Sequence, residues 1–178
     1  MATRAAIRNE GQDAEEHFIE LVAAARPSDL ARAGDAIVSV DGEDSYIEIK
    51  ECHAAPGKTG TINQVRAIKY ITCVVWAPRH GCWYVISPDQ LVGIAATKNR
   101  GQHTEIPFES MNFGIPNIPD DLHTRCSDAE LSDAVHAAVR RGRSRSDIHE
   151  AMQELLSDIQ GLRSRYSARV QKVLGSNS

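Results

Sequence analysis

Two short runs constrain this 178-residue chain more than any other feature: Gly34-Asp35-Ala36-Ile37-Val38-Ser39-Val40 and, after a polar turn, Tyr46-Ile47-Glu48-Ile49-Lys50. The first opens on an aspartate and continues as an apolar strand over residues 36–40. The second alternates with the period of a strand, so Ile47 and Ile49 point one way while Tyr46, Glu48 and Lys50 point the other. The Asp41-Gly42 pair opens the turn between them and is the strongest short-range hairpin signal in the chain. A charged face on an interior hairpin strand requires a cleft or a ligand, because burying unpaired charge is costly.

Around this hairpin the sequence reads as alternating elements. A helix is expected over residues 9–25, capped by Asn9, acidic in its first turns and striped by Phe18, Ile19, Leu21 and Val22. Ala54 to Gly60 reads as a loop. Thr61-x-x-Gln64 has capping-box spacing and predicts a helix to about Tyr70. Cys73–Trp76 and Cys82–Ile86 read as buried strands, being apolar throughout. A short helix is expected from Ser87 to about Ala96, an edge strand at 104–108, and an ordered loop at 110–121. Ser127-x-x-Glu130 opens a helix to about Arg140, interrupted by Arg141-Gly142-Arg143-Ser144-Arg145. The last helix carries Ile148, Met152, Leu155, Ile159, Leu162 and Tyr166 at heptad spacing, either against its own domain or against a second subunit. These elements predict an α/β (α+β) chain with a mixed central β-sheet flanked by helices. The expected division is a core over residues 1–125 and a C-terminal helical hairpin or extension over 126–178.

Composition excludes several classes. With 42% hydrophobic and 25% charged residues, the chain is ordinary for a globular protein. It holds no apolar run near the roughly 20 residues of a membrane span. Met1-Ala2-Thr3-Arg4 and the polar residues after it do not read as a secretory signal, so an intracellular, cytoplasmic protein is expected. Four scattered cysteines read as reduced thiols. The net charge is −4, yet it is unevenly spread. Residues 1–60 hold 12 acidic against 6 basic side chains, and residues 61–178 hold 12 against 14. The first stretch suits cations. The later arginines, Arg140, Arg141, Arg143 and Arg145, suit phosphates or form a solvated loop.

Two carboxylates and one ammonium on paired strands can hold a divalent metal and a water beside a phosphodiester. Mg²⁺ takes oxygen ligands, keeps several waters, and is usually held by one or two carboxylates plus substrate phosphate. Asp35 and Glu48 suit that task, with the Ile49 carbonyl as a further oxygen and Lys50 to orient water or stabilise developing charge. Rival chemistries lack their signatures. No C-x-x-C or H-x₃-H pair supports structural zinc. No G-x-S-x-G elbow supports a serine nucleophile. Gly57-Lys58-Thr59 lacks the earlier glycine of a phosphate loop, which is Cys52 here.

On Asp35, Glu48 and Lys50, with an acidic helix before the hairpin and a helix and strand after it, the chain resembles the PD-(D/E)xK nuclease superfamily. That group includes most type II restriction endonucleases and the archaeal Holliday-junction resolvases. The resemblance covers roughly residues 9–95, with Gly34 where the family has proline. It implies a restriction-endonuclease-like fold and a Mg²⁺-dependent DNA endonuclease, with Mn²⁺ as a substitute. It also implies a further carboxylate on the first helix, best matched by Glu16, with Glu15 and Glu20 as competitors. Gln64 matches a polar residue on the helix after the motif.

Double-stranded DNA is then the expected partner, in a homodimer built on the final helix, with or without the Ser127–Arg140 helix. Candidate DNA contacts are His53, Lys58, Thr59, Asn63, Gln64 and Arg66 after the motif strand, and Arg100, Gln102 and His103 in a later loop. Two alternatives stand beside sequence-specific duplex cleavage: a structure-selective, junction-resolving nuclease, and a non-catalytic DNA-binding subunit of the same fold.

Overall fold

The computed structural model describes residues 4–30 and 32–175. The chain divides into two compact units, Met1–Arg145 and Ser146–Ser178. The first unit is mixed α/β. A six-stranded sheet has the order β1 (Ala25–Pro27), β2 (Ala36–Val40), β3 (Glu43–Glu51), β5 (Thr72–Ala77), β6 (Cys82–Ile86) and β8 (Thr124–Cys126). The β3–β5 pair is parallel and the other pairs are antiparallel. A separate antiparallel pair joins β4 (Gly60–Val65) to β7 (Met111–Ile115).

Each face of the sheet has its own core. On one, Val38, Ile47, Ile49, Val74 and Val85 meet Phe18 and Val22 of α1 (Arg4–Leu21) and Leu131, Val135 and Val139 of α3 (Asp128–Ser144). On the other, Cys73, Val75, Tyr84 and Ile86 meet Leu91 and Ile94 of α2 (Pro88–Ala96), together with Ile62, Met111, Phe113 and Ile115 of the β4–β7 pair. Strand alternation therefore sets Glu48 and Lys50 on the α2 side, since Ile47 and Ile49 face α1 and Cys52 belongs to the opposite core.

The hairpin is tighter than expected. Asp41 and Gly42 alone form the turn, with φ of 55° and 82°, and pairing resumes at Val40↔Glu43. Two consecutive positive φ values match the right-handed twist of the flanking strands, which is why an Asp-Gly pair sits here. Two arginines of α3 close over this region and a third reaches α2. Arg140 binds Asp41 through Nε and Nη2, each at 2.8 Å. Arg143 donates to the Val40 and Glu43 carbonyls and to Ser45 Oγ. Arg141 Nε reaches Asp89 Oδ2 at 2.8 Å. These guanidinium groups tie α3 to β2, β3 and α2.

Several expectations are corrected. Residues 61–70 are not a helix: β4 occupies 60–65, followed by a single 3₁₀ turn at Ala67–Lys69. No strand forms at 104–108, and β7 forms inside the stretch expected to be a loop. Helix α1 starts at Arg4 and stops at Leu21, because Ala25–Pro27 pairs with β2. Helix α3 continues through Arg143 to Ser144 and packs on the sheet, so the first unit ends at Arg145 rather than near residue 125.

The second unit is one helix, α4 (Ser146–Gly175). Of its expected seam, Leu155 is exposed. The side chains of Leu162 and Tyr166 lie outside the described residues. Among the described residues, no helix is long and apolar enough to cross a membrane.

Candidate active site

The site is built where β2 begins and β3 continues past it. Asp35 immediately precedes β2, and its N–H donates to the Ile47 carbonyl at 2.8 Å. Gly34 makes this approach possible: a Cβ there would lie 2.8 Å from Ile47 O. Any side chain, a proline included, would require the strand to shift. Asp35 Oδ2 then accepts the Ile49 N–H at 2.7 Å. The last β2–β3 rung is Ala36↔Ile47, so Ile49 lies beyond the end of β2. In a strand the N–H and C=O of one residue point to the same side, so the Ile49 carbonyl also faces the Asp35 side.

Glu48 is opposite Cys73 of β5 and is the hub of the charges. Its Oε1 lies 2.6 Å from Lys50 Nζ, and its Oε2 lies 3.4 Å from Lys69 Nζ. All three side chains are mostly covered, with 13%, 27% and 22% of the Glu48, Lys50 and Lys69 side chains exposed. Lys69 ends the 3₁₀ turn. Its position follows from buried Ala67, from the Ile68 N–H donating to Phe108 O at 2.8 Å, and from the left-handed Tyr70 that closes the turn.

These environments push the two carboxyls apart. Burial raises Asp35 above the ordinary carboxylate range; the Ile49 N–H opposes this and the Glu48 charge adds to it. Burial also disfavours ionised Glu48, but the hydrogen bond and charge of Lys50, with Lys69 behind them, outweigh it and hold Glu48 below that range. Lys50 is raised because Glu48 and Asp35 overcome its own desolvation. Cys73, fully covered beside them, is pushed up to about 12 by burial and is an inert wall. Paired carboxyls with separated pKa values are the usual arrangement for distinct catalytic roles.

Asp35, Glu48, Ile49 and Lys50 are therefore brought together. Of the candidate helix carboxylates, Glu15 rather than the best sequence match, Glu16, is the partly covered one. Glu15 of α1 is half-buried and raised by burial first and then by the Asp35 charge, with Lys50 opposing. Glu16 and Glu20 are exposed. Lys69 was not singled out by the sequence, because no spacing rule relates it to Glu48.

The expected DNA contacts are mixed. Lys58, Asn63, Arg66, Arg100 and His103 are exposed. His53 is exposed and lies 3.2 Å from Glu51 Oε1. Thr59 Oγ1 accepts from Asn117 Nδ2 at 3.0 Å. Gln64 is on no helix; it sits in the irregular stretch of β4 with φ of 58°. Its N–H donates to Gln102 Oε1 at 2.8 Å, so Gln102 supports the β4 backbone through that oxygen.

The donor chemistry fits a hard divalent cation. Asp35 and Glu48 offer carboxylate oxygens, and Ile49 a carbonyl turned to the same side. A cation beside them would favour the ionised forms that burial disfavours in Asp35 and Glu15. Among the described residues no three His, Cys, Asp or Glu side chains group as a metal cage. This set is the sparse kind that Mg²⁺ completes with water and substrate oxygens. Comparison with known proteins gives no match: no family model, no curated protein and no solved structure matches this chain.

Proposed function

We propose that this chain is a Mg²⁺-dependent DNA endonuclease with a restriction-endonuclease-like core. The observation that carries the reading is the junction of the hairpin strands: Asp35 bound to the Ile49 N–H at 2.7 Å, beside Glu48 held by Lys50 at 2.6 Å. Asp35, Glu48 and the Ile49 carbonyl are the cation ligands, with Glu15 in support. When bound, the cation polarises the phosphate and lowers the pKa of a coordinated water. The Ile49 N–H keeps Asp35 fixed in orientation. Glu48 keeps Lys50 protonated, so that an ammonium stands where negative charge builds on the phosphate. Lys58, Asn63 and Arg66, exposed after the motif strand, are the proposed duplex contacts.

Large-plasmid digestion with purified protein and Mg²⁺ tests this reading. Discrete bands are the outcome expected for a sequence-specific enzyme. A smear on plasmid, with rapid cutting of a four-way junction, would replace it by a junction-resolving nuclease. Duplex binding without cuts would replace it by a non-catalytic subunit.

A further inference from the structure

Glu48 is contacted by two ammonium groups where one is enough to balance its charge. The two contacts are unequal. Lys50 binds Oε1 at 2.6 Å, within the range of a strong charge-assisted bond, whereas Lys69 stands 3.4 Å from Oε2. The two lysines also differ in origin. Lys50 is two residues along the same strand, so β3 itself fixes it. Lys69 comes from the crossover to β5, where the 3₁₀ turn and the Ile68 N–H to Phe108 O bond hold its backbone. Its four-carbon stem gives the Nζ rotamers that reach other positions about that anchor.

Resting on the nuclease reading, we infer that Lys69 is an exchangeable counter-ion: in the free protein it covers Glu48 Oε2, and when a cation takes that oxygen it moves to a phosphate oxygen of the nucleic acid. Glu48 is charge-compensated by Lys50 and Lys69 before anything binds. A divalent cation arriving beside Glu48 repels the weaker-held ammonium, and the phosphodiester brings the anion that receives it. No bond to carbon or phosphorus changes in this exchange; one ion pair is traded for another. Lys69 is thus a positioning residue for the phosphate and a competitor of the metal.

The exchange requires opposite effects on two ligands. In Lys69→Ala, Mn²⁺ affinity without DNA, followed by electron paramagnetic resonance, is expected to rise roughly fivefold, as loss of one partly exposed ion pair allows. Duplex affinity, followed by fluorescence anisotropy with Mn²⁺ at several salt concentrations, is expected to fall. The slope of log affinity against log salt is expected to shrink by about 1, the loss of one phosphate contact. Lys69→Arg is expected to restore the slope. A variant that loses affinity for both ligands shows a structural role and overturns the inference. Unchanged Mn²⁺ affinity, or an unchanged salt slope, overturns it as well. In these cases wild-type binding and cutting stand, so the nuclease reading survives. Wild-type protein that is folded yet binds neither Mn²⁺ nor duplex overturns both.

Discussion

Lys50 and Gly34 separate what the site does from what holds it in place. In Lys50→Ala, Glu48 keeps its Lys69 contact, so the hairpin persists while the ammonium proposed to face the phosphate is gone. Cleavage is expected to fall by about 10²–10³-fold, the usual loss when one preorganised charge is removed, with duplex affinity changed far less. Cleavage rates and anisotropy on the same preparation check this, and retained cutting rejects the role given to Lys50. Gly34→Ala acts through the backbone instead. Its new Cβ would sit 2.8 Å from Ile47 O, so a loss of about 1–3 kcal/mol is expected in urea unfolding. At this scale Asp35, Glu48 and Lys50 were legible because strand alternation is a strict two-residue rule. Glu15 was within reach of the same logic. It precedes Phe18 by three and Ile19 by four, which sets it beside the buried helix face, whereas Glu16 turns away. Lys69 was not legible, since its meeting with Glu48 is made only when β3 and β5 pair.

Among the elements, β4 shows how local signals mislead. Ile62 and Val65 are both buried at a spacing of three, the signature of a helix. The register shift between them produces the same spacing in a strand, because irregular residues between two inward positions break the two-residue period. Capping-box spacing at Thr61 and Gln64 then reinforced the wrong element. In β7, Met111, Phe113 and Ile115 alternate inward as a strand should, but the neighbouring Pro, Asn and Gly residues hid that alternation. The arginines of α3 were open to either reading; Arg140, Arg141 and Arg143 hold elements together inside the first unit. Asp89 gives the testable consequence. Burial opposes its ionisation, but Ser87 and Arg141 prevail and hold its carboxyl below the ordinary range. A depressed folded pKa contributes stability above the unfolded value of about 3.9, and that stability is lost as pH falls through the folded value. Asp89→Asn is therefore expected to melt well below wild type at pH 7 and to converge with it as pH drops below about 4. A gap that stays constant in Tm measurements across that range contradicts the linkage.

On the scale of the molecule, the unit Met1–Arg145 contains both sheets and both cores. A chain ending at Arg145 is expected to unfold cooperatively, with the same midpoint by fluorescence and circular dichroism. If the proposed homodimer is built on α4, the same truncation yields a monomer in light scattering, and a truncated dimer relocates the interface. The sheet, its flanking helices and the place of the charged hairpin were foreseeable from sequence. The unit boundary was not, because the helix after Ser127 reads as part of the extension, whereas its Leu131, Val135 and Val139 pack on the sheet and keep it in the first unit. The proposed chemistry is that Asp35, Glu48 and the Ile49 carbonyl hold a cation, with the Lys50 ammonium beside the phosphate, for phosphodiester hydrolysis. Its most direct test is the rate at which folded wild-type protein converts supercoiled plasmid to nicked and linear forms as Mg²⁺ is raised from zero. Saturable, Mg²⁺-dependent conversion that stops on chelation is the predicted result. Plasmid that stays supercoiled at every Mg²⁺ concentration contradicts it.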